Sequence, residues 1–209
     1  MLTEPGVKNQ FGNAYSLQWF LEPFARRGKL REVQLTAHIP LKMIRADLEN
    51  IPNSDIPAGY RLRWYRPGDE EHWLRIHLLA DHKNQFKPDT FAQQFGSDAS
   101  VLAERQCYLL DPVQGVIGTA TAWFNEDFDG ESIGRVHWVA IVPECQGRGL
   151  SRPLITTVCR RLRELGHNKV YLTTSSARTA AIHLYLRFGF RPLIRTAIER
   201  AAWAQVFAG

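Results

Sequence analysis

The chain has 209 residues, 44% apolar and 22% charged, with a net charge of +5 and a pI near 9.3. These values suit one soluble globular domain with an appendage, and no apolar run approaches the ~20 residues of a helical bilayer span. The basic excess is mild and its arginines are interspersed with acids. That leaves nucleic-acid binding without support, and an anionic cofactor accounts for part of the excess.

Residues 1–50 read as an N-terminal extension, partly ordered, and residues 51–209 as the main domain. Before residue 43, six lysines and arginines stand against three acids, and Trp19, Phe20 and Phe24 fall at helical spacing. Met43 is the only other methionine, so translation starting there is an alternative reading of the first 42 residues. No basic stretch followed by an apolar run opens the chain, so no signal peptide is expected. Cys107, Cys145 and Cys159 are odd in number and without paired spacing, which points to reduced thiols and a cytoplasmic location.

Ile51 to Gly59 is a Pro-, Gly- and Asn-rich linker. Tyr60 to Tyr65 alternates as a first strand, and Pro67-Gly68-Asp69 is a turn with Asp69 as N-cap of a helix through Trp73, Ile76, His77 and Ala80. Short helices follow at Asp89 to Phe95 and Ser100 to about Arg105. Gln106 to Leu110 and Val116 to Phe124 form a hairpin around Asp111 to Gly115. An acidic turn (Glu126, Asp127, Asp129, Glu131) leads to an apolar, β-branched strand, Val136 to Val142, stopped by Pro143. Leu150, Leu154, Ile155, Val158, Leu162 and Leu165 make one helical stripe, with Pro153 in its first turn and Gly166 as its cap. Lys169 to Thr174 is a strand, a helix carrying Tyr185 and a last strand follow, and Ile198 to Phe207 looks helical.

Between the strand at Val136–Val142 and the long helix lies Gln146-Gly147-Arg148-Gly149. The first turn of a helix has unpaired N–H groups and a partial positive charge, so it attracts anions. Glycines let the backbone curl around a phosphate, and Arg148 and Arg152 add permanently charged donors. The pattern therefore points to a phosphate or pyrophosphate site. It is neither a dinucleotide fingerprint nor a Walker loop, lacking the third glycine of one and the lysine of the other.

The run Val142-Pro143-Glu144-x-Gln146-Gly147-Arg148-Gly149-Leu150-Ser151 resembles the acetyl-CoA loop of the GNAT N-acetyltransferase superfamily, Arg/Gln-x-x-Gly-x-Gly/Ala, with Ser151 a departure at the last position. Ala181-Ile182-His183-Leu184-Tyr185 followed by Phe188-Gly189-Phe190 is similar to that family's second block, and the resemblance covers about residues 60–195. It implies an α/β fold: a mixed, mostly antiparallel central sheet, splayed at its central strands and flanked by helices. It also implies acetyl transfer from acetyl-CoA to a primary amine by direct attack in a ternary complex, without metal. On this resemblance the main chain of Ala140, Ile141 and Val142 holds the pantetheine and carbonyl. Gln146, Gly147, Arg148, Gly149, Leu150, Ser151 and Arg152 hold the pyrophosphate, and Tyr185 is the general acid toward the CoA sulfur.

Three family positions differ. Arg178 stands where an asparagine usually contacts CoA, and a cofactor-binding role is expected of it. Thr173 and Val136 occupy sites where other members place a base. His137, beside Val136, is the candidate base by its intrinsic pKa, against a reading in which strand alternation turns it away into the core. Trp123, Phe124 and Trp138 are candidates for an acceptor pocket or for core packing, and the acidic turn either is solvated or attracts a cationic amine. His72, His77 and His82 are each five apart and spiral around a helix rather than forming a metal site. The acceptor's identity is open, a homodimer is an expected possibility, and two other readings stand beside the first: another acyl-CoA donor, or a CoA-binding sensor without turnover.

Overall fold

The computed structural model describes residues 39–208. Its elements in chain order are β1 (Pro40–Arg45), β2 (Arg61–Trp64), α1 (Asp69–Ala80), α2 (Thr90–Phe95), α3 (Ala99–Arg105), β3 (Gln106–Asp111), β4 (Gly115–Phe128) and β5 (Glu131–Ile141). A short 3-10 turn (Pro143–Cys145) leads to α4 (Ser151–Glu164), β6 (Val170–Ser175), α5 (Thr179–Arg187), β7 (Arg191–Leu193) and α6 (Ala197–Ala208). The seven strands form one sheet in the order β2-β3-β4-β5-β6-β1-β7. Every pairing is antiparallel except β5 with β6, which is parallel. This is the mixed, mostly antiparallel sheet flanked by helices that the sequence implies, and α6 stands where a helix was read near the C-terminus.

Helices cover both faces. Leu162 of α4 lies against the face carrying Gly134, where an added Cβ would meet its Cδ2 at 3.1 Å. His137, three residues on and so on the opposite face, meets Phe95 of α2 with ring centroids 5.7 Å apart. α4 buries Leu154, Ile155, Val158 and Leu162 of the stripe read from the sequence, and Pro153 and Cys159 beside them, while Leu165 just past its end is half-buried. Each large apolar side chain so buried contributes about 1.5–3 kcal/mol relative to exposure. All three cysteines are free and buried.

Two local readings are corrected. Asp69 is the first residue of α1 rather than its cap, which is Gly68. Its carboxylate instead takes both guanidinium nitrogens of Arg63, at 2.5 and 2.7 Å, and accepts from the Arg66 N–H at 2.7 Å, tying β2 to α1. The second correction is β1, which the sequence reading did not give as a strand. It lies between β6 and β7, pairing Pro40–Arg45 with Val170–Ser175 on one side and Lys42–Ile44 with Arg191–Leu193 on the other. Leu41 and Met43 are fully buried, so the sheet begins before both Met43 and the boundary drawn at residue 50. The proposed helix around Trp19, Phe20 and Phe24 lies outside the described residues.

Arg45 at the end of β1 is buried and donates to three carbonyls, those of Asp47, Glu49 and Phe188. Gly189 leaves room for it: a Cβ there would come within 3.2 Å of the guanidinium, and its φ of 81° already favours glycine.

Candidate functional site

β5 and β6 pair only at Gly134 with Val170 and Arg135 with Tyr171, and beyond Arg135 they part. That opening is the splay expected between the central strands. Its β5 side is shaped by a bulge. Thr121 pairs with His137 but Thr119 pairs with Ala140, so Trp138 and Val139 together face the single residue Ala120. Trp138 takes a left-handed conformation at φ 48°.

An extra residue reverses which way the amides point. The Gly134 N–H donates to Lys169 O on the β6 side, at 3.0 Å. In an unbulged strand the N–H of Val142 would point the same way, yet it donates to Ile117 O on β4 at 2.9 Å. After the bulge, therefore, Val139 and Ile141 direct their amides into the gap, whereas Ala140 and Val142 turn toward β4. Of the three residues the sequence assigned to this edge, only Ile141 faces the opening through its main chain. Val139, which the sequence reading did not name, joins it.

At the end of β5 the loop follows. Gln146 turns its side chain back, Nε2 donating to Ile141 O at 2.8 Å, and so fixes the loop's entry angle. Gly147 and Gly149 have φ of 74° and 76°, and nothing lies within 4 Å of where a Cβ would stand on either. Leu150 is buried and anchors the loop in the core, and α4 starts beside it with no side-chain cap. Arg148 reaches Glu144 O at 2.8 Å and the Tyr60 hydroxyl at 3.3 Å, while Arg152 is exposed in the first turn. Two glycines open to the surface, an uncapped helix start and flanking arginines fit a diphosphate. Cys145 is buried behind the loop with its thiol 3.9 Å from Gln114 Oε1, a packing role.

Tyr185 lies half-buried on α5, its ring 6.0 Å from that of Phe190. Burial pushes its phenol up to about 12, with Arg178 pulling the other way and Cys159 of α4 adding to the rise. The hydroxyl therefore stays protonated at neutral pH. Arg178 does not project alone: its guanidinium donates to Asp81 Oδ2 at 2.6 Å, joining the start of α5 to the end of α1. Asp81 sits below its usual carboxylate range despite its burial, because the Lys83 N–H, the Asn84 amide and Arg178 all favour its ionised form.

His137 is buried, with Nε2 3.3 Å from Gln94 Oε1. Burial, with Arg135 and His77 nearby, pushes its imidazole down to about 2. The Trp138 indole donates to the same Gln94 oxygen at 2.9 Å. An indole N–H can only donate, so the Gln94 oxygen, not its nitrogen, faces both rings. Trp138 packs among Trp73, His77 and Phe86, while Trp123 and Phe124 stack on each other beneath Arg105. The acidic turn stands at the other end of β5, roughly 33 Å of strand away from the loop, with Asp129 paired to Arg195 and Glu131 to Lys169. Among the described residues no three His, Cys, Asp or Glu side chains cluster as a metal site, and no helix is long and apolar enough to cross a membrane.

Residues 62–190 match the family model described as Acetyltransferase (GNAT) family. The chain belongs to the GNAT family. Over 150 residues it is 35% identical to a mycothiol acetyltransferase of Thermobispora bispora, a match covering 67% of this chain and 49% of that one. The chain thus spans about half the length of the curated relatives it matches. Among solved structures, a GCN5-related N-acetyltransferase from Sphaerobacter thermophilus shares the GNAT fold at a TM-score of 0.58, with 21% identity, covering 77% of this chain and 51% of that one. AAC(6')-Iy, solved in complex with the bisubstrate analogue CoA-S-monomethyl-acetylneamine, shares it at 0.51 with 19% identity, covering 66% and 94%.

Proposed function

We propose that this chain transfers an acetyl group from acetyl-CoA to a primary amine, by direct attack within a ternary complex. The observation that carries the reading is the continuity of one surface: the unpaired edge of β5 runs into an open two-glycine turn and the uncapped start of α4. The Gly147–Ser151 main chain, with Arg148 and Arg152, would hold the diphosphate, and the Val139 and Ile141 amides would face the pantetheine and carbonyl. Acetyl-CoA supplies the activated acetyl group.

The acceptor nitrogen forms a bond to the carbonyl carbon as the carbon–sulfur bond breaks. Fixed amides at the carbonyl oxygen lower that barrier, as does holding both reactants together. The Tyr185 hydroxyl, protonated at working pH, gives its proton to the departing thiolate. His137 is too weak a base, and Thr173 and Val136 cannot serve, so the amine's proton passes to water. The relatives named mycothiol acetyltransferase favour a small-molecule amine related to mycothiol as acceptor.

Calorimetric titration with acetyl-CoA tests the cofactor site. Wild type is expected to bind at micromolar concentrations and a Gly149→Trp variant not at all, because an indole would fill the turn. Absence of binding by wild type would overturn the reading.

A further inference from the structure

A residue with a side chain is disfavoured at φ 48°, so the conformation of Trp138 has to be held by its surroundings. Its side chain is held from outside its own strand. The indole Nε1 donates to Gln94 Oε1 of the α2 helix at 2.9 Å. The ring is boxed by Trp73 and His77 of α1 and by Phe86, with centroids 5.5, 5.1 and 5.6 Å away.

His77 itself is 2% exposed, and its Nε2 has no partner. Shut in between Trp73, Phe86 and Trp138, its ring is suited to fixing the place of the indole. The bulge it holds is the feature that turns Val139 and Ile141 toward the gap.

We propose that His77 and Gln94 are positioning residues: together they clamp Trp138 in its left-handed conformation and so aim the Val139 and Ile141 amides at the acetyl carbonyl. The aiming rests on the acetyltransferase reading above; the clamp on Trp138 does not. Neither residue touches the reacting atoms. Loss of the clamp lets β5 relax toward regular alternation and costs rate at the chemical step, while the glycine turn and α4 keep their hold on the diphosphate.

Three variants of the full chain test this: Gln94→Leu, which removes the acceptor of the indole hydrogen bond at an exposed position, His77→Ala, which removes the packed ring, and His77→Phe, which retains a ring. The first readout needs no substrate. Amide hydrogen exchange over residues 137–142 is expected to quicken at least tenfold in Gln94→Leu and His77→Ala, with residues 151–164 unchanged. Unchanged exchange in Gln94→Leu overturns the clamp even where His77→Ala fails to fold. The second readout is turnover with acetyl-CoA and an amine. A ten- to hundredfold fall in kcat is expected at constant KM for acetyl-CoA, largely restored in His77→Phe. A rise in acceptor KM at constant kcat overturns the proposal, since it would make these side chains acceptor contacts. Wild type without turnover on any amine overturns the acetyltransferase reading, and the aiming with it, while the exchange result still decides the clamp.

Discussion

The two ends of the opening along β5 are built in different ways. At the loop end the working groups are main-chain amides, and the side chains there serve them: Gln146 ties the turn to Ile141, Leu150 plugs into the core, and two glycines stay out of the way. At the bulge end the main chain is bent by side chains from elsewhere, with α1 supplying Trp73 and His77 and α2 supplying Gln94. A site made of backbone needs few particular residues, and those lie together in sequence. A site shaped by side chains draws on residues tens of positions apart and inherits the stability of every element that supplies them.

Tyr185→Phe should separate the ends most sharply. Removing one hydroxyl is expected to lower kcat by about 10²–10⁴-fold, with acetyl-CoA affinity by calorimetry unchanged. A loss of affinity of similar size would place Tyr185 among the cofactor's contacts instead.

Acid should weaken the bulge end next. Burial holds His77 at about 3 and His137 at about 2, both below the ordinary 6.5 of an unfolded chain. Below pH 6.5 the unfolded state therefore binds more protons, and stability falls as pH falls. The slope approaches about 1.4 kcal/mol per pH unit for each histidine. Denaturant midpoints at pH 7, 6 and 5 would show this, and a flat profile would mean that neither ring is buried neutral. The loop's working groups are main-chain amides, which do not titrate.

The smallest effect is expected at Arg178. Its partner Asp81 is nearly buried but the Arg178 side chain is 40% exposed, and ion pairs of this kind contribute roughly 0–1 kcal/mol. Arg178→Ala should weaken acetyl-CoA binding less than about tenfold, by the same titration. A hundredfold loss would show that the cofactor takes Arg178 from Asp81.

The contrast between the ends also explains what could be read from the chain alone. The strand–turn–helix unit was legible because a phosphate cradle demands glycines at set positions and the helix behind it an unbroken apolar stripe. The family's second block was legible because Tyr185 and Gly189 stand at its set positions. The bulge was not, since nothing in Val136-His137-Trp138-Val139 distinguishes a strained tryptophan from a regular strand residue, and one inserted residue exchanges which amides face the gap. The pairing of Arg178 with Asp81 was not legible, the two lying 97 positions apart. The contact of His137 with Gln94, 43 positions away, was hidden in the same way. β1 escaped notice because it is short, opens on Pro40 and ends on an arginine that is buried rather than exposed.

That strand has a consequence for the order of assembly. Of the described strands β1 is the first to be synthesised, yet both its neighbours, β6 and β7, are among the last described elements. At ordinary translation speeds Leu41 and Met43 wait on the order of 10 s for a partner. Throughout that interval the nascent chain carries an apolar segment with two unsatisfied edges, and closing it spans a loop of most of the domain. The β2–β5 meander, by contrast, can pair as it emerges. Refolding should therefore be paced by the return of β1, and a chaperone meeting this chain on the ribosome would find its binding site there.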